Sequence, residues 1–346
     1  MKKIVFLVVM LLTLGNTLVS ARNKKSSKEN FAGYLFAYFE GTGEGRKQEQ
    51  LRFAISSDAV NWYALNDNRP IIASDSISES GGIRDPHILR GEDGCYYIVA
   101  TDMHTFDPNQ GWGSNPGIVL LKSTDLINWT HSKINLSKDF SENFSDAYWV
   151  WAPQTIYDRK AKKYMIYFTL QRSDRKTLIT YYAYANKDFT GFESEPRQLF
   201  SAKYGSIDND IIYKDGCYHL FYKGNTKDEH GRECKNGIQQ ATSRNILGPW
   251  KEDFKYLDAY AGITPVEGSG IFKLNGKEEY VLMYDLYTNG RYEYQTSTDL
   301  YNFTKEPKSF TKNFFPRHGT VCSLTAEELA RLQQKWGNVL PNESEE

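Results

Sequence analysis

The sequence predicts an all-β chain closed into a five-bladed β-propeller, with its N- and C-terminal strands paired to complete the ring. The first observation behind this is a turn written five times: ISSDAVNW ending at Trp62, KSTDLINW at Trp129, ANKDFTGF at Phe192, TSRNILGPW at Trp250 and TSTDLYNF at Phe303. Each sets an aromatic four or five residues after Asp or Asn, and successive copies stand 67, 63, 58 and 53 residues apart. Those intervals are too long for one hairpin and fit a four-stranded blade. The second observation is a hairpin written twice, GGIRDPHILRGEDGCYYIVATD from Gly81 and GSIDNDIIYKDGCYHLFYKG from Gly205. Both put an aspartate just before an apolar run and turn on acidic-Gly-Cys-Tyr. The third is the aromatic content of 24 Tyr, 19 Phe and 7 Trp, which suits strands. A β-sandwich, the competing architecture, has no need of five copies of one turn.

The elements follow in order. Residues 1–21, MKKIVFLVVMLLTLGNTLVSA, carry two lysines, an apolar run and Val19-Ser20-Ala21 as a small-residue cleavage site, the pattern of a secretory signal peptide. Gly15, Asn16 and Thr17 break the apolar run short of the ~20 residues a membrane span needs. Residues 22–30 read as a flexible lead-in and 31–337 as the propeller. Inner strands are expected at DPHILR, APQTIYD, DNDIIYK, EGSGIFKL and HGTVCSL, each followed by a second apolar run. For the count to close, the last inner strand, near Thr320 to Leu324, must join the strands near Tyr34 to Phe39. That pairing protects both sheet edges. Thr325 and Glu328 make a capping box for one short helix in TAEELARLQQKW, and 338–346 form a polar tail.

Composition excludes some functions. Without Lys2 and Lys3 the chain has 40 basic side chains against 43 acidic, so nothing resembles the basic stripe of a nucleic-acid binder. Cys95 and Cys217 occupy the same place in two repeats, which suits a shared packing role rather than a bridge, and no disulfide is expected among the four cysteines.

In a propeller the innermost strands line a central channel, so residues at one end of them converge. Those starting positions read Asp85, Ala152, Asp208, Glu267 and His318. Three carboxylates near one axis repel, and at least one should have its pKa raised. Hydrolysis of a glycosidic bond uses such a set: one carboxylic acid protonates the leaving oxygen while a carboxylate activates water across the sugar ring. Each acid alone is equally at home in a turn, as Asp before Pro86 or Glu before Gly268.

With these motifs in place, the chain resembles glycoside hydrolase family 43, five-bladed propellers that invert anomeric configuration, over roughly Phe31 to Gly337. The resemblance implies that Asp85 in RDPHI is the general base. It implies that Asp208 in SIDND adjusts the acid's pKa and orientation, and that Glu267 in VEGSG is the general acid. Asn209 and Ser269 stand where the family's motifs usually have proline. Asp210 is a rival to Asp208, since period-two alternation would put both on one face. Trp151 in WAPQT is expected to wall the sugar pocket, with a core tryptophan as the alternative. His318 in RHGTV is expected to face the channel and to hold a water or a structural calcium; a histidine satisfied by backbone is the alternative. Arg291 is expected to reach the substrate from its hairpin, unless it is merely exposed, and Trp112 to border the pocket from a Gly- and Asn-rich loop. No organic cofactor or redox metal is required.

The leading reading is an exo-acting α-L-arabinofuranosidase or β-xylosidase working on plant polysaccharide. The partner is then an oligosaccharide or polysaccharide, with no nucleic acid, no membrane span and a monomeric protein exported to the periplasm or the outside. Alternatives are a non-catalytic carbohydrate-binding propeller, action on another sugar such as a β-galactoside, and internal cleavage of xylan or arabinan. A retaining, fructan-cleaving propeller would carry a Glu-Cys acid; Glu233-Cys234 matches only in a charged loop. The loops at 40–50 and 224–237 are candidates for the pocket rim.

Overall fold

The computed structural model describes residues 30–41, 48–176, 178–224, 236–337 and 339–341. The expected signal peptide, the lead-in before Asn30, the tail beyond 341, Glu233-Cys234 and most of the two rim loops lie outside the described residues. Five sheets succeed one another along the chain, antiparallel except where the short strand Thr311–Lys312 pairs parallel with Asn61–Ala64 in the last of them. Blade 1 runs outward from Ile83–Arg90 through Tyr96–Asp102 and Gly117–Ser123 to Thr130–Asn135. Blade 2 starts at Ala147–Asp158, blade 3 at Ser206–Lys214 and blade 4 at Glu267–Lys273, each again the first of four strands. Blade 5 joins the two ends of the chain. Its inner strand Pro316–Thr325 pairs antiparallel with Phe31–Glu40, with Leu35 opposite Cys322 and Ala37 opposite Thr320. Closure therefore falls where the alternation of strands required it.

Five apolar clusters fill the five seams between blades. One, for example, packs Leu120 and Ile118 of blade 1 on Phe168 and Ile166 of blade 2. The repeated turn explains itself here. In KSTDLINW, Asp125 Oδ1 accepts from the backbone N–H of Ile127 and Asn128, while Leu126 sits at φ 66°. That geometry throws Trp129 back to donate its indole N–H to Leu126 O and to meet Phe53 of blade 5 edge-on. Phe192, Trp250 and Phe303 pack into the seam with the preceding blade in the same way. Each copy is thus a local turn that plugs a non-local gap.

All five inner strands carry a bulge at the same level. Against the second strand of its blade, two residues stand opposite one at Asp85-Pro86, Ala152-Pro153, Asp208-Asn209, Gly268-Ser269 and His318-Gly319. The first bulge residue takes a left-handed backbone in four of them, with φ 51° at Asp85, 46° at Ala152, 55° at Asp208 and 65° at Gly268. Such bulges re-aim side chains, and the left-handed region costs a non-glycine about 1 kcal/mol or more. At Gly268 a side chain would also come within 3.0 Å of the His318 Cβ.

The capping box at Thr325 and Glu328 is present and starts the helix Ala326–Trp336. Cys95, Cys217 and Cys322 are free thiols. Among the described residues, no helix is long and apolar enough to cross a membrane.

Candidate active site

The bulges sort the axial residues into two rings. The deeper ring is made by the first bulge residues: Asp85, Ala152, Asp208, Gly268 and His318. The ring above it is made by the residues just before them: Arg84, Trp151, Ile207, Glu267 and Arg317. Glu267 therefore does not share a level with Asp85 and Asp208 as its place in the motif suggested; Gly268 holds that position. The bulge also breaks the period-two alternation. Asp208 lines the pocket, whereas Asp210 is buried and accepts from the Ile271 N–H.

Every member of the upper ring lines one cavity of about 480 Å³, together with Asp85, Asp208 and His318 at its floor. Trp112 is also at the cavity, 62 % exposed, with its ring 6.4 Å from and nearly perpendicular to that of Trp151. Trp151 stacks on Trp149 at 4.0 Å and donates its indole N–H to Asn115 Oδ1, so the wall is held rigid. Arg291 is not brought to the pocket. It is exposed on blade 4, within 3.4 Å of Glu293 and bonded to the Tyr260 hydroxyl. Arg84 and Arg317 supply the pocket's guanidinium groups instead. The signal that could have found them is positional: each directly precedes a floor residue, as Trp151 and Glu267 do.

On the floor, Asp85 Oδ2 accepts from the Thr101 hydroxyl at 2.9 Å, and Thr101 in turn accepts from the Ala152 N–H at 2.9 Å. The His318 Nδ1 stands 3.5 Å from Asp85 Oδ1 and 3.7 Å from Asp208 Oδ1. Burial works against the imidazolium, but the two carboxylates prevail and push the His318 pKa up to about 9. Burial alone would raise Asp85; the hydrogen bond and charge of His318, with Arg84 and Thr101, outweigh it and leave Asp85 below its usual value. Asp208 ends above its usual value, first through burial and then through repulsion from Glu267 and Asp85, which the charges of His318 and Lys223 do not overcome. At least one of the three axial carboxylates is thus raised, as expected, and it is Asp208.

Glu267 is held differently. Its Oε2 accepts from Lys223 Nζ at 2.7 Å and its Oε1 from Arg317 at 2.9 Å. Burial raises the Glu267 pKa, and those two cations more than reverse it. Arg317 also pairs with the buried Asp285. The supporting residues follow one rule. The second-strand residues paired with the upper ring are Thr101, Thr169, Lys223, Asp285 and Phe39. Each reaches forward to the next blade: Thr101 to Ala152, Thr169 to Ser206 and Asn209, Lys223 to Glu267, Asp285 to Arg317, and Phe39 under Arg84 at 4.7 Å. Glu49, fully buried, accepts from Arg84 at 2.6 Å and from Thr105 at 2.6 Å, so this residue of the expected rim loop supports the pocket from beneath.

His318, the residue expected to hold a water or a structural calcium, stands beside both floor carboxylates. Among the described residues, no group of three or more His, Cys, Asp or Glu is spaced for a metal.

A five-bladed propeller with paired carboxylates at one end of its channel defines a class, the propeller glycosidases, and comparison with known proteins agrees. A family model described as "Probable glycosyl hydrolase domain", related to glycosyl hydrolase family 43, matches residues 29–330. The chain belongs to this family of glycosyl hydrolases. An α-L-arabinofuranosidase of Bifidobacterium longum subsp. longum is 26% identical over 276 residues, 71% of this chain and 25% of that protein. The chain thus spans about a quarter of that relative's length. Among solved structures, an endo-1,4-β-xylanase of Bacteroides thetaiotaomicron has a TM-score of 0.54 at 15% identity, covering 84% of this chain and 99% of its own. An endo-arabinase of the same species has a TM-score of 0.53 at 18% identity, covering 82% and 94%. These two share the fold.

Proposed function

We propose that the chain is an inverting glycoside hydrolase that removes arabinofuranosyl or xylosyl units from the ends of plant polysaccharide chains. The observation that carries this reading is one pocket holding two carboxylates in unlike settings, at different depths. Asp85, kept ionised by His318 and Thr101, suits a general base that takes a proton from water. Glu267, a level higher and nearer the mouth, suits a general acid that protonates the leaving oxygen. Asp208, carrying the raised pKa between them, tunes the pair. Trp151 and Trp112 offer faces to the sugar ring. A non-catalytic sugar-binding role gives no reason to keep Asp85 and Glu267 in one pocket.

The likeness to an arabinofuranosidase supports a pentose substrate. A pocket closed at its floor favours a chain end. A second reading, internal cleavage, has an observation of its own. An adjoining cavity of about 190 Å³ shares Trp151, Ile207 and Lys223 with the first, which would give a second sugar a place beside the pocket. The apolar N-terminal stretch supports export after loss of residues 1–21.

The test is a panel of 4-nitrophenyl α-L-arabinofuranoside, β-D-xyloside and β-D-galactoside beside linear arabinan and xylan, run with wild type, Glu267→Gln and Asp85→Asn. Release from a pentoside, cut at least ~10²-fold by each substitution on natural oligosaccharide, is the expected result. A product of inverted anomeric configuration by proton NMR is expected too. Full activity of both variants would sink the assignment, and shortened internal fragments without free pentose would favour the second reading.

A further inference from the structure

Each oxygen of Glu267 accepts from a cation, and this bears on how an acid assigned to it can work. A proton reaches the carboxyl only against the charges of Lys223 and Arg317, which each donate a hydrogen to one oxygen and so hold the group ionised. The two clamps differ. Arg317 has a second anchor in Asp285 and stays when Glu267 lets go. Among the described residues, Lys223 has no second hydrogen-bonded anchor of that kind; its ammonium lies 5.1 Å from the Tyr287 ring centre, on a flexible stem. Among the described residues, the charged groups around Glu267 are Asp285 on its own blade, Lys223 and Asp208 on blade 3, Arg317 and His318 on the closing blade, and Arg84 and Asp85 on blade 1. Lys223, Glu267, Arg317 and Asp285 form a ladder of four alternating charges with no net charge above the Asp285 pKa, which burial pushes up to about 6 against the charge of Arg317; a proton added to Glu267 there leaves one cation in excess. The nearby Asp208 is the carboxylate able to take up that excess.

Resting on the reading of Glu267 as the acid, we infer that Lys223 is a positioning residue that keeps Glu267 a carboxylate until substrate arrives. A sugar oxygen entering the pocket displaces the Lys223 ammonium toward Tyr287 and Asp208. Glu267 then takes up one proton from solvent and aims it at the glycosidic oxygen. Cleavage passes that proton to the leaving group. Asp85 receives one proton from the attacking water and returns it to solvent, and Lys223 swings back. The cycle consumes one water and leaves the proton count unchanged. The residue type is the clue: blades 1 and 2 carry threonine at the position where blade 3 carries this lysine.

The experiment follows the Glu267 carboxyl directly by carbon-13 NMR of the full chain labelled in glutamate, its resonance assigned by its loss in Glu267→Gln. In the empty wild type it should remain a carboxylate from pH 5 to 8. In Lys223→Met it should titrate at least about one pH unit higher, and Lys223→Arg should restore the wild-type position. A thio-linked, uncleavable disaccharide should raise the titration in wild type and change it little in Lys223→Met. In kinetics, the alkaline limb of kcat/KM should lie at lower pH than that of kcat, and the two should converge in Lys223→Met. A protonated Glu267 in the empty wild type at pH 7, or a Lys223→Met protein of native circular dichroism with an unmoved titration, overturns the inference. Should Lys223→Met not fold, Lys223→Gln takes its place. If Glu267→Gln keeps full activity, the acid assignment fails by itself, and the NMR titration still decides the clamp.

Discussion

The floor of the pocket shows how much can hang on one hydroxyl. Thr101 donates to Asp85 and accepts from Ala152, tying the proposed base to the next blade. Thr101→Val keeps the shape and removes both bonds. We expect kcat on a pentoside to fall about tenfold or more with KM little changed, because the water-activating oxygen loses its aim. His318 acts on the same carboxylate through charge. Replacing it with Gln removes the cation that holds the Asp85 pKa down, so Asp85 stays protonated to higher pH. The acid limb of kcat/KM should therefore move upward, which a pH–rate profile reads directly. The stability sign follows from the same group. The His318 pKa is raised from 6.5 to about 9 in the folded protein, so its contribution is complete below pH 6.5 and is lost as pH rises through about 9. Melting temperature should drop between pH 7 and pH 10 in wild type, and by less in His318→Gln.

At the scale of elements, the repeated turn and the repeated bulge differ in how far the sequence discloses them. The turn is local chemistry: Asp58, Asp125 and Asp299 each accept from backbone N–H groups two and three residues on, so Ser-x-Asp with a following aromatic is readable in any window of eight residues. Its energetic weight lies in the aromatic. Trp62 is fully buried among Tyr34, Phe36 and Phe310, and Trp62→Ala should cost about 3–5 kcal/mol, measured by urea unfolding. The bulge is invisible in the same windows, because an extra residue exists only relative to the strand opposite. Strict alternation therefore set Asp208 and Asp210 on one face and Glu267 level with Asp85. The aspartates, Glu267, Trp151 and His318 were legible as types at recurring places. Arg84, Lys223 and Arg317 were not, since a basic residue at a strand end is ordinary until its register is known. Arg291, attractive by region, does not line the pocket.

At the scale of the whole molecule, the pocket exists only when the ring is closed. Its floor and mouth draw on the inner strands of all five blades, and the closing blade contributes Arg317 and His318 from a strand held by Phe31–Glu40. A chain ending before Pro316 should lose more than two side chains. Strand Phe31–Glu40 would have a bare edge, and we expect loss of the near-ultraviolet circular dichroism and of the single cooperative melt. The strand count that predicted closure was legible because an odd strand at each end demands a partner, whereas the depth of the pocket was not, as it depends on side chains from distant blades. The clasp also imposes an order in time. During synthesis Phe31–Glu40 is made first, and its partner follows nearly 300 residues later, a wait of roughly 15–60 s at usual ribosomal rates. Throughout that interval the first three strands form a sticky, unfinished sheet. A cell making this protein must therefore shelter an early segment for the length of a translation cycle, and the last strand to appear is the one that ends the danger.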